Sequence, residues 1–205
     1  MGRQIIGIGT VPNDGTGDTL REGGDKINAN FAELYGVTGI QNMIPIMAGG
    51  MTAPTSNGAN YTLDETNAVL APALDFDPDT QESAQFLLPL PDGWDGGVCQ
   101  AEFIWTSSGT GNVVWGIEGV VLGDDDALAI DFEAAVEVTD GVTASGDLMI
   151  SARSAAFTLG AYGTAGDLGC FRVYRNAASG SDTNTSDARL IGIRLYITTT
   201  DYEDS

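Results

Sequence analysis

Histidine is absent from this chain of 205 residues, and cysteine occurs only twice, at Cys99 and Cys170. Without histidine there is no Ser-His-Asp or Cys-His nucleophile, no His-ligated zinc, and no side chain ordinarily suited to general-base work near neutrality. Two thiols far apart in sequence cannot build a multi-disulfide scaffold or a Cys-only zinc site, so both read as buried thiols. Cations are scarce too: eight Lys and Arg face 29 Asp and Glu, a formal net charge of −21. Such a surface repels phosphate backbones and anionic lipid, which excludes nucleic-acid binding and membrane insertion as functions. No apolar run approaches the roughly 20 residues of a membrane span, and the first twelve residues lack the apolar core and cleavage site of a secretory signal. The expectation is a soluble chain that is not exported by that route.

What is present suits a folded, turn-rich protein. Hydrophobic residues make up 42% of the chain and glycine 28 positions against seven prolines, enough for one core plus a small appendage. Residues 1–39 hold three cations and five carboxylates, and the remainder five and 24. That asymmetry, with a change of periodicity at Gly36–Gly39, predicts a segment over 1–39 and an acidic domain over 40–205.

In the first segment, Asn13-Asp14-Gly15-Thr16-Gly17 is a turn cluster, and Thr19-x-x-Glu22 reads as a capping box that opens a helix. Gly36 suits its C-terminal cap. Leu20, Gly24, Ile27, Phe31 and Leu34 recur at steps of four and three, a heptad seam too short to hold a coiled coil alone. Gly23 and Gly24 cost the helix about 1 kcal/mol each relative to alanine, so it needs an outside surface. Leu20, Ile27, Phe31 and Leu34 are the candidate docking or oligomerisation residues. The stripe can cover the C-terminal domain, meet copies of itself around a three-fold axis, or seat on a partner.

From Ile40 onward strands dominate. Ile191, Ile193, Leu195 and Ile197 alternate with Gly192, Arg194, Tyr196 and Thr198, the signature of a strand with one buried face. Cys99 to Trp105 and Phe171 to Val173 behave alike, and further strands are expected over 68–76, 84–88, 113–122, 147–151 and 155–159. A short helix is expected over Ala127–Ala135. Turn pairs such as Asn57-Gly58, Ser108-Gly109 and Asp140-Gly141 are spaced as in an antiparallel sandwich, and no repeat of 20 to 50 residues suggests a solenoid or propeller. The expected fold is mainly β, a jelly-roll-like antiparallel β-sandwich preceded by a short N-terminal α-helix.

No constellation of catalytic residues emerges, and no catalytic, cofactor or metal residue is assigned. Asp75-x-Asp77-x-Asp79 imitates the start of a calcium loop, but Thr80 stands where glycine should turn the chain and Phe86 where a bidentate glutamate belongs. Asp124-Asp125-Asp126 serves equally as charge ahead of the expected helix. A pair of carboxylates suffices for glycoside hydrolysis, yet nothing sets one in an apolar pocket. Trp94, Trp105 and Trp115 read as core or interface, with a sugar-stacking platform as the alternative.

The run from Asn13 to Arg21, followed by Lys26-Ile27-Asn28, Asn30-Phe31 and Glu33-Leu34-Tyr35, resembles a segment recurrent in virion proteins of tailed bacteriophages. Leu74-Asp75-Phe76-Asp77, Trp94-Asp95-Gly96-Gly97 and Phe103-x-Trp105-Thr106 are similar to β-rich phage structural proteins. The resemblance implies a non-enzymatic virion component, assembled in the host cytoplasm, with an N-terminal attachment segment and a β domain. It implies a self-associating fibre, spike or capsid decoration subunit, often a homotrimer, whose partners are other capsid or tail proteins. A glycan-binding receptor module for a host surface glycan is the alternative, and a capsule depolymerase ranks below it.

Overall fold

The computed structural model describes residues 4–11, 14–35, 40–65, 69–160 and 163–199, the side chains of 32–35, 40 and 64 excepted. The chain divides into two compact units, residues 1–40 with 199–205, and residues 41–198.

The N-terminal unit is built around helix α1 (Leu20–Tyr35). Its start follows from the capping box: the Thr19 amide donates to Glu22 Oε2 at 2.9 Å, and the Glu22 amide donates to Thr19 Oγ1 at 3.2 Å. Two of the first-turn donors that no helical carbonyl reaches are thereby satisfied. Gly36, the expected terminal cap, lies outside the described residues.

The second unit is a jelly-roll-like sandwich of two antiparallel sheets. Its strands are β1 (Ile40–Met47), β2 (Asn60–Asp64), β3 (Ala71–Phe76), β4 (Ser83–Pro89), β5 (Gln100–Ser107), β6 (Asn112–Leu122), β7 (Val136–Gly141), β8 (Met149–Ile150), β9 (Leu168–Arg175) and β10 (Ala188–Thr199). One sheet runs β2-β3-β10-β5-β8, with β1 also paired to β10, and the other runs β4-β9-β6-β7. Alternate residues of β5 and β9 face the core, as period-2 patterning requires.

Aromatic rings fill the space between the sheets. Trp115 stacks on Phe103 with centroids 5.6 Å apart, and Phe76 and Trp105 meet it edge-on at 5.2 and 5.9 Å. Such offset and T-shaped contacts suit the ring quadrupole. Strand β6 is buried on both faces. On its outer side Gly116 lies under the Tyr174 ring, whose Cζ would stand 2.2 Å from an added Cβ.

Several expectations are corrected. Residues 127–135 are not helical: Asp125 takes a left-handed φ of 66°, and Asp126 accepts the Gly123 amide at 2.8 Å, closing a turn. The returning chain then spends its Glu133 amide on the Gly119 carbonyl at the edge of β6, so the segment is held as an irregular flap. The alternation along β10 slips at a bulge between Leu190 and Gly192. Leu190, Ile193, Leu195 and Ile197 face the core, while Ile191 does not. Of 147–151 only Met149–Ile150 pairs as a strand, and 155–159 contributes a single bridge, Phe157 to Cys99. Strands β1, β2 and β7 are not among the expected strands. Cys99 is buried, whereas Cys170 points to the outer side of its sheet and is only half-buried.

Candidate functional site

The residues of the N-terminal motif make a local scaffold. Asp14 gathers the Thr10 amide and hydroxyl, the Val11 amide and the Thr16 amide at 2.6 to 2.9 Å. Those donors, Thr10's hydroxyl foremost, hold its carboxyl far below the usual carboxylate range. Asp18 accepts from the Gly7 amide and from Lys26 Nζ, both at 2.7 Å, and Lys26 above all keeps that carboxyl ionised, below its ordinary value. The amide of Thr19, then its hydroxyl, does the same for Glu22.

Further along, Lys26 also reaches the Ile5 carbonyl at 3.2 Å. Asn30 closes a reciprocal pair with Gln4, accepting its amide at 2.8 Å and donating to its carbonyl at 2.9 Å. Residues 4–7 are thus strapped along the helix in the opposite sense, with Asn30, Lys26 and Asp18 as the ties. Gly17 is required by close approach, because an added Cβ would stand 2.9 Å from both the Gly7 carbonyl oxygen and the Gly9 nitrogen. Gly9 itself has a φ of +78°, a conformation costly for other residues.

This scaffold consumes polar groups, and several apolar side chains of the unit are exposed. Leu20 is 96% exposed, Ile8 90%, Phe31 50% and Ile27 42%. Leu34 lies in the helix, and its side chain is outside the described residues. Ile6, Ile8, Leu20 and Ile27, with Gly23 and Gly24 between, line a shallow groove of about 450 Å³. These side chains are among the exposed apolar surface of the N-terminal unit. The ties Asp14, Asp18, Lys26 and Asn30 were not among the expected site residues. Their signal was the spacing of short polar residues against Lys26, visible only once residues 4–8 are known to lie on the helix. The alternation Ile6-Gly7-Ile8-Gly9 was readable as an apolar edge.

Elsewhere the acidic clusters have structural occupations. Asp75 pairs with Arg189 at 3.0 Å, and Asp77 accepts the Asp79 and Thr80 amides within its own turn. Trp94, Trp105 and Trp115 are buried, at most 4% exposed, so a sugar platform built on them is replaced by core.

Residues 3–73 match the family described as bacteriophage T4 gp9/10-like protein, N-terminal, a span that runs past the helix into β3. Over 63 residues the chain is 48% identical to baseplate wedge protein gp10 of Enterobacteria phage T4, covering 30% of this chain and 10% of that protein. The N-terminal segment is thus similar to that of a tailed-phage virion structural protein. The chain spans about a tenth of the T4 relative it matches, and the phage segment ends where most of the sandwich begins. Among solved structures, the CBM22-2 xylan-binding domain of Paenibacillus barcinonensis Xyn10C matches at a TM-score of 0.46 and 12% identity, over 77% of this chain and 99% of that one. The enzymatically active domain of tailspike protein 4 of bacteriophage CBA120 matches at 0.33 and 10%, over 74% and 19%. At TM-scores under 0.5 neither likeness carries a ligand or an activity to this chain.

Proposed function

We propose that the chain is a non-enzymatic structural subunit of a phage virion that mounts an acidic β-sandwich on a tail or baseplate partner through its N-terminal unit. The observation that carries this reading is the division of labour in that unit. Its polar motif residues are bonded to one another, whereas Leu20, Ile8, Ile27 and Phe31 are presented outward. The same helix face serves self-association: Leu20, Ile27, Phe31 and Leu34 recur at heptad spacing, and we infer a homotrimer about that seam.

The test is particle assembly with L20D/I27D, two changes on the exposed face that leave the Asp14, Asp18 and Asn30 ties intact. Variant protein that folds but is missing from purified virions supports attachment through this face; normal incorporation overturns it. Cryo-electron microscopy of intact particles then locates the chain. Density at the tail or baseplate agrees with the proposal, and density spread over the capsid lattice makes the chain a decoration subunit instead. Release of sugar from host capsule or lipopolysaccharide by the pure protein would contradict the non-enzymatic reading.

A further inference from the structure

The irregular flap over 123–135 stands off β6 and leaves a groove of about 390 Å³. Val120, Val121 and Leu159 supply an apolar floor, and Asp126, Asp131 and Glu133 stand along the flap side. The flap itself exposes Leu128 at 85% and Ile130 at 50%. Water-facing leucine and isoleucine beside a groove whose floor is itself only 1–5% exposed, rimmed by charge, is the pattern of an interaction surface rather than of a solvated loop.

Charge decides what fits. All five arginines between residues 41 and 198 are engaged with carboxylates elsewhere: Arg153 and Arg194 with Glu102, Arg172 with Glu118, Arg175 with Asp182 and Arg189 with Asp75. Arg172 lies 5.0 Å from the ring centroid of Phe132 in the flap and is paired with Glu118. Among the described ion pairs none includes Asp126, Asp131 or Glu133. Nor do three carboxylates converge on one point, since no cluster able to hold a metal ion exists among the described residues. Negative charge spread along an apolar trough matches an extended chain carrying cations at intervals, not a single ion.

We propose that this groove binds an extended segment of another protein in which apolar side chains alternate with lysine or arginine. The apolar residues pack on Ala127 and Ile130, which line the trough, and the cations meet Asp131 and Glu133. This surface is independent of the N-terminal unit, so it gives the subunit a second contact.

The test uses the full chain, labelled with nitrogen-15, and a synthetic hexapeptide alternating leucine and lysine as probe. Saturable amide shifts confined to Val120, Val121, Ala127 and Ile130 are expected, with affinity falling at least tenfold in D131N/E133Q and also in I130S, which alters no charge. The E65Q/D147N variant removes the same charge from other exposed positions and is expected to bind as the parent does. Unliganded spectra of the variants that overlay the parent exclude misfolding as the cause. Shifts scattered over the acidic surface, equal weakening in the control variant, or equal binding of a leucine-glutamate peptide would each overturn the proposal. So would displacement of the probe by a neutral oligosaccharide.

Discussion

At the residue scale the least replaceable side chain is Arg175. It is fully buried, bonds Asp182 through Nε at 3.0 Å and Nη2 at 2.8 Å, and donates to the carbonyls of Phe76, Ser186 and Asn184. Asp182 in turn accepts the Val114 amide, so one ion pair pins the connection from β9 to β10 against β6. R175M should cost about 3–5 kcal/mol, since it strands a buried carboxylate; urea denaturation checks this, and a loss below about 1 kcal/mol would show the pin to be dispensable. Thiol chemistry separates the cysteines. Burial, with Asp95 nearby, pushes the Cys99 thiol up to about 12, and thiolate is the reactive form. At pH 8 the folded protein should therefore leave Cys99 unmodified by iodoacetamide, with Cys170 labelled first, as peptide mass mapping would reveal.

At the element scale, helix α1 depends on its cap and its straps. T19A removes the hydroxyl that accepts the Glu22 amide and should cost the helix about 1 kcal/mol, read as lost helical circular dichroism on warming. Asp14, Asp18 and Glu22 all titrate below their ordinary values. A carboxyl with a lower pKa in the folded state than in the unfolded one stabilises above the unfolded value, and that contribution is lost as pH falls toward the folded one. The N-terminal unit should thus loosen below about pH 4, the ordinary carboxylate range, with amide exchange at Gly7 and Thr16 rising before that of β5 and β9. In the sandwich, G116A drives a methyl into the Tyr174 ring and should break the Tyr174 hydroxyl's bond to Glu137. Overpacking of that kind costs about 1–3 kcal/mol.

At the scale of the whole molecule, a net charge of −21 opposes assembly of like subunits, while exposed Leu20, Ile27 and Phe31 favour it. Screening shortens the repulsion and leaves apolar contact intact, so the trimer proposed here should strengthen with added salt. Light scattering at micromolar concentration across a salt series checks this. A monomer at every salt concentration would remove the trimer, and dissociation on adding salt would show that ion pairs rather than the apolar seam hold it.

Capping, strand patterning and charge were determined by sequence alone, because each depends on neighbours a few residues away. Thr19 and Glu22 meet within one helical turn, and the alternation of β5 follows from the two-residue pleat, so a mainly β sandwich behind a capped helix was legible. Contacts between distant segments were decided by tertiary structure. Only there does Asn30 find Gln4, does Gly192, crowded by the Ile46 carbonyl, let β1 approach beside a bulge that turns Ile191 from the core, and does the Gly119 carbonyl claim Glu133 and unmake the expected helix. The heptad spacing singled out Leu20, Ile27 and Phe31, but their exposure, like that of Leu128, was hidden in the sequence. An apolar side chain in a sequence reads the same whether the fold covers it or leaves it open, and only packing assigned Trp94 inward and Leu20 and Leu128 outward.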